Sequence, residues 1–151
     1  MIETLIHALH LAGTLWMTGL VLFVAVVHYP LMAAVGREAF VAYEKRHVSR
    51  TGLIVGPLML TEAATAGLIL TRQITGGTIG TLGGALSIAG IVLLAVCWGV
   101  TFIASVPQHE RLSRGFDEAT HRGLVAWHWV RTVAWVGRSI IAVWLAVLSN
   151  A

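Results

Sequence analysis

The feature that most constrains this chain is the length of its runs without formal charge. Residues 4–36 and 73–109 contain no Asp, Glu, Lys or Arg, 51–71 contain only Glu62, and 123–151 only Arg131 and Arg138. A helix needs about 20 mostly apolar residues to cross the hydrocarbon of a bilayer. Four segments meet that length, roughly 5–29, 50–71, 84–106 and 125–148. Only 11% of the residues are charged, against about 25% in a soluble domain, which excludes an ordinary water-soluble globule. The first segment reads as a span and not as a cleaved leader, because Glu3 makes its start acidic and its apolar run is too long. The expected fold is one all-α domain over residues 1–151, an integral membrane antiparallel four-helix bundle, since an even number of helices joined by short loops packs that way. The single cysteine, Cys97, lies inside the third span and reads as a small packing residue.

Lys and Arg concentrate on one side of this expected bundle. Segment 30–50 carries Arg37, Lys45, Arg46 and Arg50, and 108–122 carries Arg111, Arg114 and Arg122; the opposite side has only Arg72. Seven against one predicts that the two basic segments are cytoplasmic loops of a bacterial-type inner membrane protein, with both termini outside. Such loops suit anionic headgroups. No basic stripe interleaved with aromatics stands outside the spans, so nucleic acid is not an expected partner. The expected partners are the lipid bilayer and a small hydrophobic ligand, with a homo-oligomer left open.

The two halves echo each other. Pro30 and Pro107 stand at the exits of the first and third spans, followed by Phe40 and Phe116 and then by Glu-x-x-His, as Glu44/His47 and Glu118/His121. Two hairpins of like orientation would be related by an axis along the membrane normal.

Three groups of residues carry candidate chemistry. His28, His47, His109 and His128 fall near the cytoplasmic ends of the four spans, one to each. Imidazole binds copper, zinc and iron, and Glu-x-x-His pairs occur in di-iron bundles, so His28, Glu44, His47 and His109 form a candidate metal set, with ordinary interfacial histidines as the alternative. Inside the spans, His10, Glu62 and Arg138 lie within roughly 6 Å of one another in depth at ~1.5 Å per residue. Ionisable groups in a membrane default to functional hypotheses, with a structural ion pair as the alternative. Finally, His128, Arg131, Trp135 and Arg138 share one helix face. Guanidinium groups bind carboxylates in bidentate fashion and stack on rings, so this face suits an anionic or aromatic planar ligand. His10, Thr14, Met17 and His28 form a facing stripe on the first span.

The exit HYPLM (28–32), the segment VPQHERL (106–112) and WHWVRTVAWVGRS (127–139) resemble the small four-helix membrane proteins of the anthrone oxygenase-like family, through Tyr29, Pro30, Pro107, Trp127 and Arg131. His109 stands where that family often has Asn. The resemblance implies oxidation of a polyketide anthrone by molecular oxygen. A more distant likeness is to the haem-containing HemJ-type protoporphyrinogen oxidases: HALHLAGTLWMTGLVLF (7–23) and RTGLIVGPLMLTEAATAGLIL (50–70) resemble their first two helices through His10, Trp16, Gly19, Pro57 and Gly67. That likeness implies His10 as an axial haem ligand.

The expected function is therefore an oxygenase-like membrane oxidoreductase acting on a small hydrophobic aromatic substrate in an intramembrane cavity. Its catalytic candidates are His10, Glu62, Arg131 and Arg138. His10, Trp16, His128 and Trp135 are candidate cofactor-binding residues, for haem b or a transition metal (Cu, Zn or Fe). The competing expectation is a non-enzymatic haem- or metal-binding module or helper subunit. The orientation is open to test: in intact cells, a membrane-impermeant thiol reagent should label a cysteine placed at Thr78 and spare one at Arg114. Labelling at Arg114 from outside would overturn it.

Overall fold

Each apolar run folds into one long helix, and the helices outlast the runs. The structure, a computed structural model, describes residues 1–149. Among them all regular structure is helical: α1 (Ile2–Met32), α2 (Arg37–Thr75), α3 (Leu82–Leu112) and α4 (Glu118–Leu148). All four are long and apolar enough to cross a membrane. α4 packs along α1 and α3, and α1 along α2, while α2 and α3 meet more loosely.

The basic segments 30–50 and 108–122, expected as loops, are largely helical. α2 begins at Arg37 and runs for 39 residues, which at ~1.5 Å each spans about 58 Å, far beyond a hydrocarbon core of about 30 Å. The reason lies in its periodicity. Phe40 and Glu44 are buried and Tyr43 and His47 half-buried, while Arg37, Lys45, Arg46 and Arg50 are exposed. That is an inward stripe at helical spacing, which a mean over the charged segment hides. Glu44 is fully buried, whereas Glu118, in the first turn of α4, is exposed and bonds Arg122 at 2.8 Å. Asp117 caps α4 by accepting the Thr120 N–H at 2.7 Å. Its hydrogen bonds with Thr120 hold the carboxyl below its ordinary range, so the cap persists as pH falls until that lowered value is passed.

Two prolines shape the basic end. Proline donates no hydrogen bond, and its ring clashes with the carbonyl four residues back. Ahead of each, the helix widens into a π-helical turn, Val24–His28 before Pro30 and Val100–Ser105 before Pro107. There the Tyr29 N–H reaches the Val24 carbonyl, and the Val106 N–H reaches that of Thr101. Such turns are frequent at functional sites. The two stand at the same place relative to their prolines, so the pseudo-repeat extends to the backbone, and Phe40 and Phe116 meet edge-on at 4.9 Å.

The interior has two apolar centres. Met17, Val21, Met59, Cys97, Ala134 and Trp135 pack at mid-bundle, and Val24, Tyr29, Met32, Phe40, Leu112 and Leu124 at the basic end. Many other large apolar side chains point outward, among them Leu53, Ile103, Trp16, Trp127, Trp129 and Trp144.

The turn 76–81 closes tightly on α3. A Cβ on Gly84 would collide with the Ile79 carbonyl, whereas one on Gly19 would meet nothing within 4 Å. Gly84→Ala should therefore lower stability by about 1–3 kcal/mol, and Gly19→Ala should not, in thermal unfolding of the detergent-solubilised protein.

Candidate functional site

The polar face of α4 turns inward along its whole length: His128, Trp135 and Arg138 are buried and Arg131 is half-buried. The partners of these residues divide the interior into two sites.

Nearer the turn 76–81, Arg138 donates to the Gly90 carbonyl at 2.6 Å and to Glu62 Oε1 at 3.3 Å. The other oxygen of Glu62 accepts the Trp135 indole N–H at 2.8 Å. His10 Nδ1 bonds Thr65 Oγ1 at 3.0 Å, and Thr65 sits one turn beyond Glu62. Arg138 Nε and Ser87 Oγ are enclosed there without a hydrogen-bond partner. His10, Ser87, Gly90 and Arg138 border a void of only about 10 Å³, with room for a single water-sized molecule. A haem at His10 does not fit there. Trp16, the other helix-one residue expected at a cofactor, is 65% exposed on the outer face of α1, away from this group. The α1 stripe itself does face in: His10, Thr14 and Met17 are buried and His28 is half-buried.

Nearer the basic end lies a cavity of about 260 Å³, toward the small end of ligand pockets, which run from roughly 300 to 1,000 Å³. Leu20, Val24, Val48, Val55, Met59 and Phe102 give it apolar walls, and Gly52 and Gly56 on α2 keep one wall open. A Cβ at either glycine would meet nothing within 4 Å. One wall is polar, formed by Tyr29, His47, His109, His128, Thr101 and Arg131.

These polar groups fix one another's protonation. Arg131 Nη2 is 2.8 Å from His128 Nδ1, and since guanidinium only donates, Nδ1 accepts. The His128 proton then sits on Nε2 and goes to the Val21 carbonyl at 2.8 Å. Arg131 Nη1 donates to Thr101 Oγ1 at 3.2 Å, and the guanidinium stacks 5.7 Å from the Trp135 ring. Its Nε is enclosed without a partner, and no ion pair joins Arg131 to a carboxylate among the described residues. On the adjoining side, His109 Nδ1 is 2.6 Å from Glu44 Oε1, and its Nε2 is 3.1 Å from the Tyr29 hydroxyl. Tyr29 packs edge-on against His128 at 4.8 Å. His121 reaches the Tyr29 carbonyl at 3.1 Å.

The four residues expected to bind a metal do converge. His28 stacks on His47 at 4.3 Å between ring centroids, and His47 lies 5.4 Å from His109. They are engaged with one another and do not surround a common point: His109 is occupied by Glu44 and Tyr29, and His47 Nδ1 bonds Thr51 at 3.2 Å. Among the described residues no group of three or more His, Cys, Asp or Glu is disposed to hold a metal ion. The residues that sequence reasoning did not nominate are Tyr29 and Thr101. Tyr29 is adjacent to His28 in HYPLM, but its inward aim depends on the π turn before Pro30.

No known family model, curated protein or solved structure matches the chain, so its function has to be read from the site itself.

The Glu62–Arg138 pair makes a stability prediction. Removing one partner strands a buried charge, at about 3–5 kcal/mol. Glu62→Gln and Arg138→Gln should each lower the thermal midpoint in detergent, and the double variant should recover part of the loss. Strict additivity of the two losses would show that the pair is not coupled.

Proposed function

We propose that this protein is an oxygenase-like membrane oxidoreductase that oxidises a small hydrophobic aromatic substrate in the cavity between the helices at the basic end. In this reading the four helices form an antiparallel bundle across a bacterial-type inner membrane, with the basic end in the cytoplasm. Outward Leu, Ile, Val and Trp around an interior holding Glu62, Arg138 and His128 support embedding, because hydrocarbon reverses the usual partition of apolar and polar side chains. The seven-to-one Lys/Arg asymmetry supports the orientation.

One observation carries the functional reading. Arg131 reaches the wall of an apolar cavity without a carboxylate to neutralise it. Even a half-buried cation is favoured by a counter-charge, and its protein partners, Thr101 and His128, are neutral. A ligand oxygen that bears or develops negative charge completes the site. The cavity's apolar walls, with the Arg131 guanidinium on the polar side, suit a flat ring system. This agrees with the anthrone oxygenase resemblance, in which a ring CH2 becomes C=O. That conversion consumes one O2 and releases one H2O, and it begins by removing a proton from the CH2 to give an enolate. Arg131 stabilises the enolate oxygen, as a fixed donor aimed where charge develops.

The test is oxygen uptake by the detergent-solubilised protein with 1,8-dihydroxyanthrone, following the anthraquinone product by absorbance. Arg131→Gln should slow turnover by about a hundredfold or more. Gly56→Leu, which fills the cavity from a position with free space, should abolish it with the fold intact. Turnover unchanged in both variants would place the reaction elsewhere.

A further inference from the structure

We propose that Tyr29, His109 and Glu44 form an acid–base relay for the cavity, so that the ligand is a weak acid, a phenol or a ketone with an acidic neighbouring C–H. The proposal rests on the cavity reading and names its chemistry.

Two charged side chains stand on either side of Tyr29. Glu44 is fully buried, and its bonded partner is His109; its second oxygen is enclosed without a hydrogen bond. No Lys or Arg bonds it among the described residues. Arg131, on the other side of Tyr29, has no carboxylate. A buried anion and a half-buried cation thus flank the same phenol without pairing with each other. The other titratable groups facing this relay are His28, Tyr43 and His47 from α1 and α2, and His121 and His128 from α4. His128 is neutral by its two hydrogen bonds.

The geometry sets the direction of proton flow. Ionised Glu44 can only accept, so His109 Nδ1–H donates to it, and Nε2 is left to accept from the Tyr29 O–H. When a ligand O–H or C–H proton moves to the Tyr29 oxygen, the Tyr29 proton moves to His109 Nε2. The bond broken at the ligand leaves its electron pair on oxygen or carbon. His109 becomes an imidazolium against Glu44, and the ligand an anion against Arg131. The net charge of the site is unchanged, yet each charge has gained a counterion. Tyr29 and His109 line the cavity and are the catalytic residues; Glu44 lies behind His109 and is a positioning residue that selects its tautomer.

A chromophoric acid tests this without turnover. 4-Nitrophenol, whose phenolate absorbs visible light, is titrated into the detergent-solubilised protein at a pH about one unit below its aqueous pKa, where most free probe is neutral. Wild type should bind it chiefly as phenolate. Tyr29→Phe and Glu44→Gln should still bind it, with the ratio of bound phenolate to phenol lowered about tenfold or more; Glu44→Asp should restore part of that ratio. Tyr29→Phe retains the ring against His128, and so decides the matter if Glu44→Gln fails to fold. Binding of neutral phenol by wild type, or an undiminished phenolate ratio in both variants, overturns the relay and leaves the cavity reading standing. No saturable binding by wild type overturns both.

Discussion

A guanidinium buried in a helical bundle must be met by fixed acceptors, and how α4 meets that demand organises this protein. Arg138 is supplied from two other helices, by the Gly90 carbonyl of α3 and the Glu62 carboxylate of α2, and Glu62 is in turn held by Trp135. Three helices are thereby fixed at one level. An apolar replacement of comparable shape often does as well for stability, so the value of this set lies in register: a sliding helix would strand a charge. Arg131, two turns earlier on the same face, is met only by neutral groups. The same residue type is thus neutralised by a carboxylate in one place and met only by neutral groups in the other.

The division runs through the rest of the bundle. Around Arg138 the interior closes to a void of about 10 Å³, while around Arg131 it opens to about 260 Å³. Loose packing of α2 against α3, two glycines facing free space and a π turn on each of α1 and α3 all fall at the open end. Widened turns change which side chains face inward, and here they bring Tyr29 inside beside His109.

The pseudo-repeat shows how one hairpin plan was put to two uses. Both halves keep the proline, the π turn before it and the phenylalanine, and the phenylalanines touch. The Glu-x-x-His pairs have parted. Glu44 is buried behind His109, and His47 is in the cavity wall; Glu118 is on the surface, and His121 holds the backbone of Tyr29. The two halves meet at Tyr29 and Glu44 from the first and His109 from the second, with His121 bracing the Tyr29 backbone.

Much of this was legible in the residues alone. Uncharged runs determined the four helices, because length and hydropathy are local properties. The inward face of α4 followed from spacing, because residues three or four apart share a helix face whatever packs against it. The helical extension of α2 beyond its apolar run was also present in the pattern, as the stripe from Phe40 to His47, though hidden by its charged neighbours. Matched depth in the spans already put Glu62 beside Arg138, because depth along a helix is a local property. Only the tertiary structure sent Glu44 to His109, since nothing in the sequence neighbourhood of Glu44 names that partner. That partner lies 65 residues away, and the choice depends on rotation between helices. The π turns before Pro30 and Pro107 set that rotation at the basic end, since one extra residue per turn moves every later side chain around the helix axis.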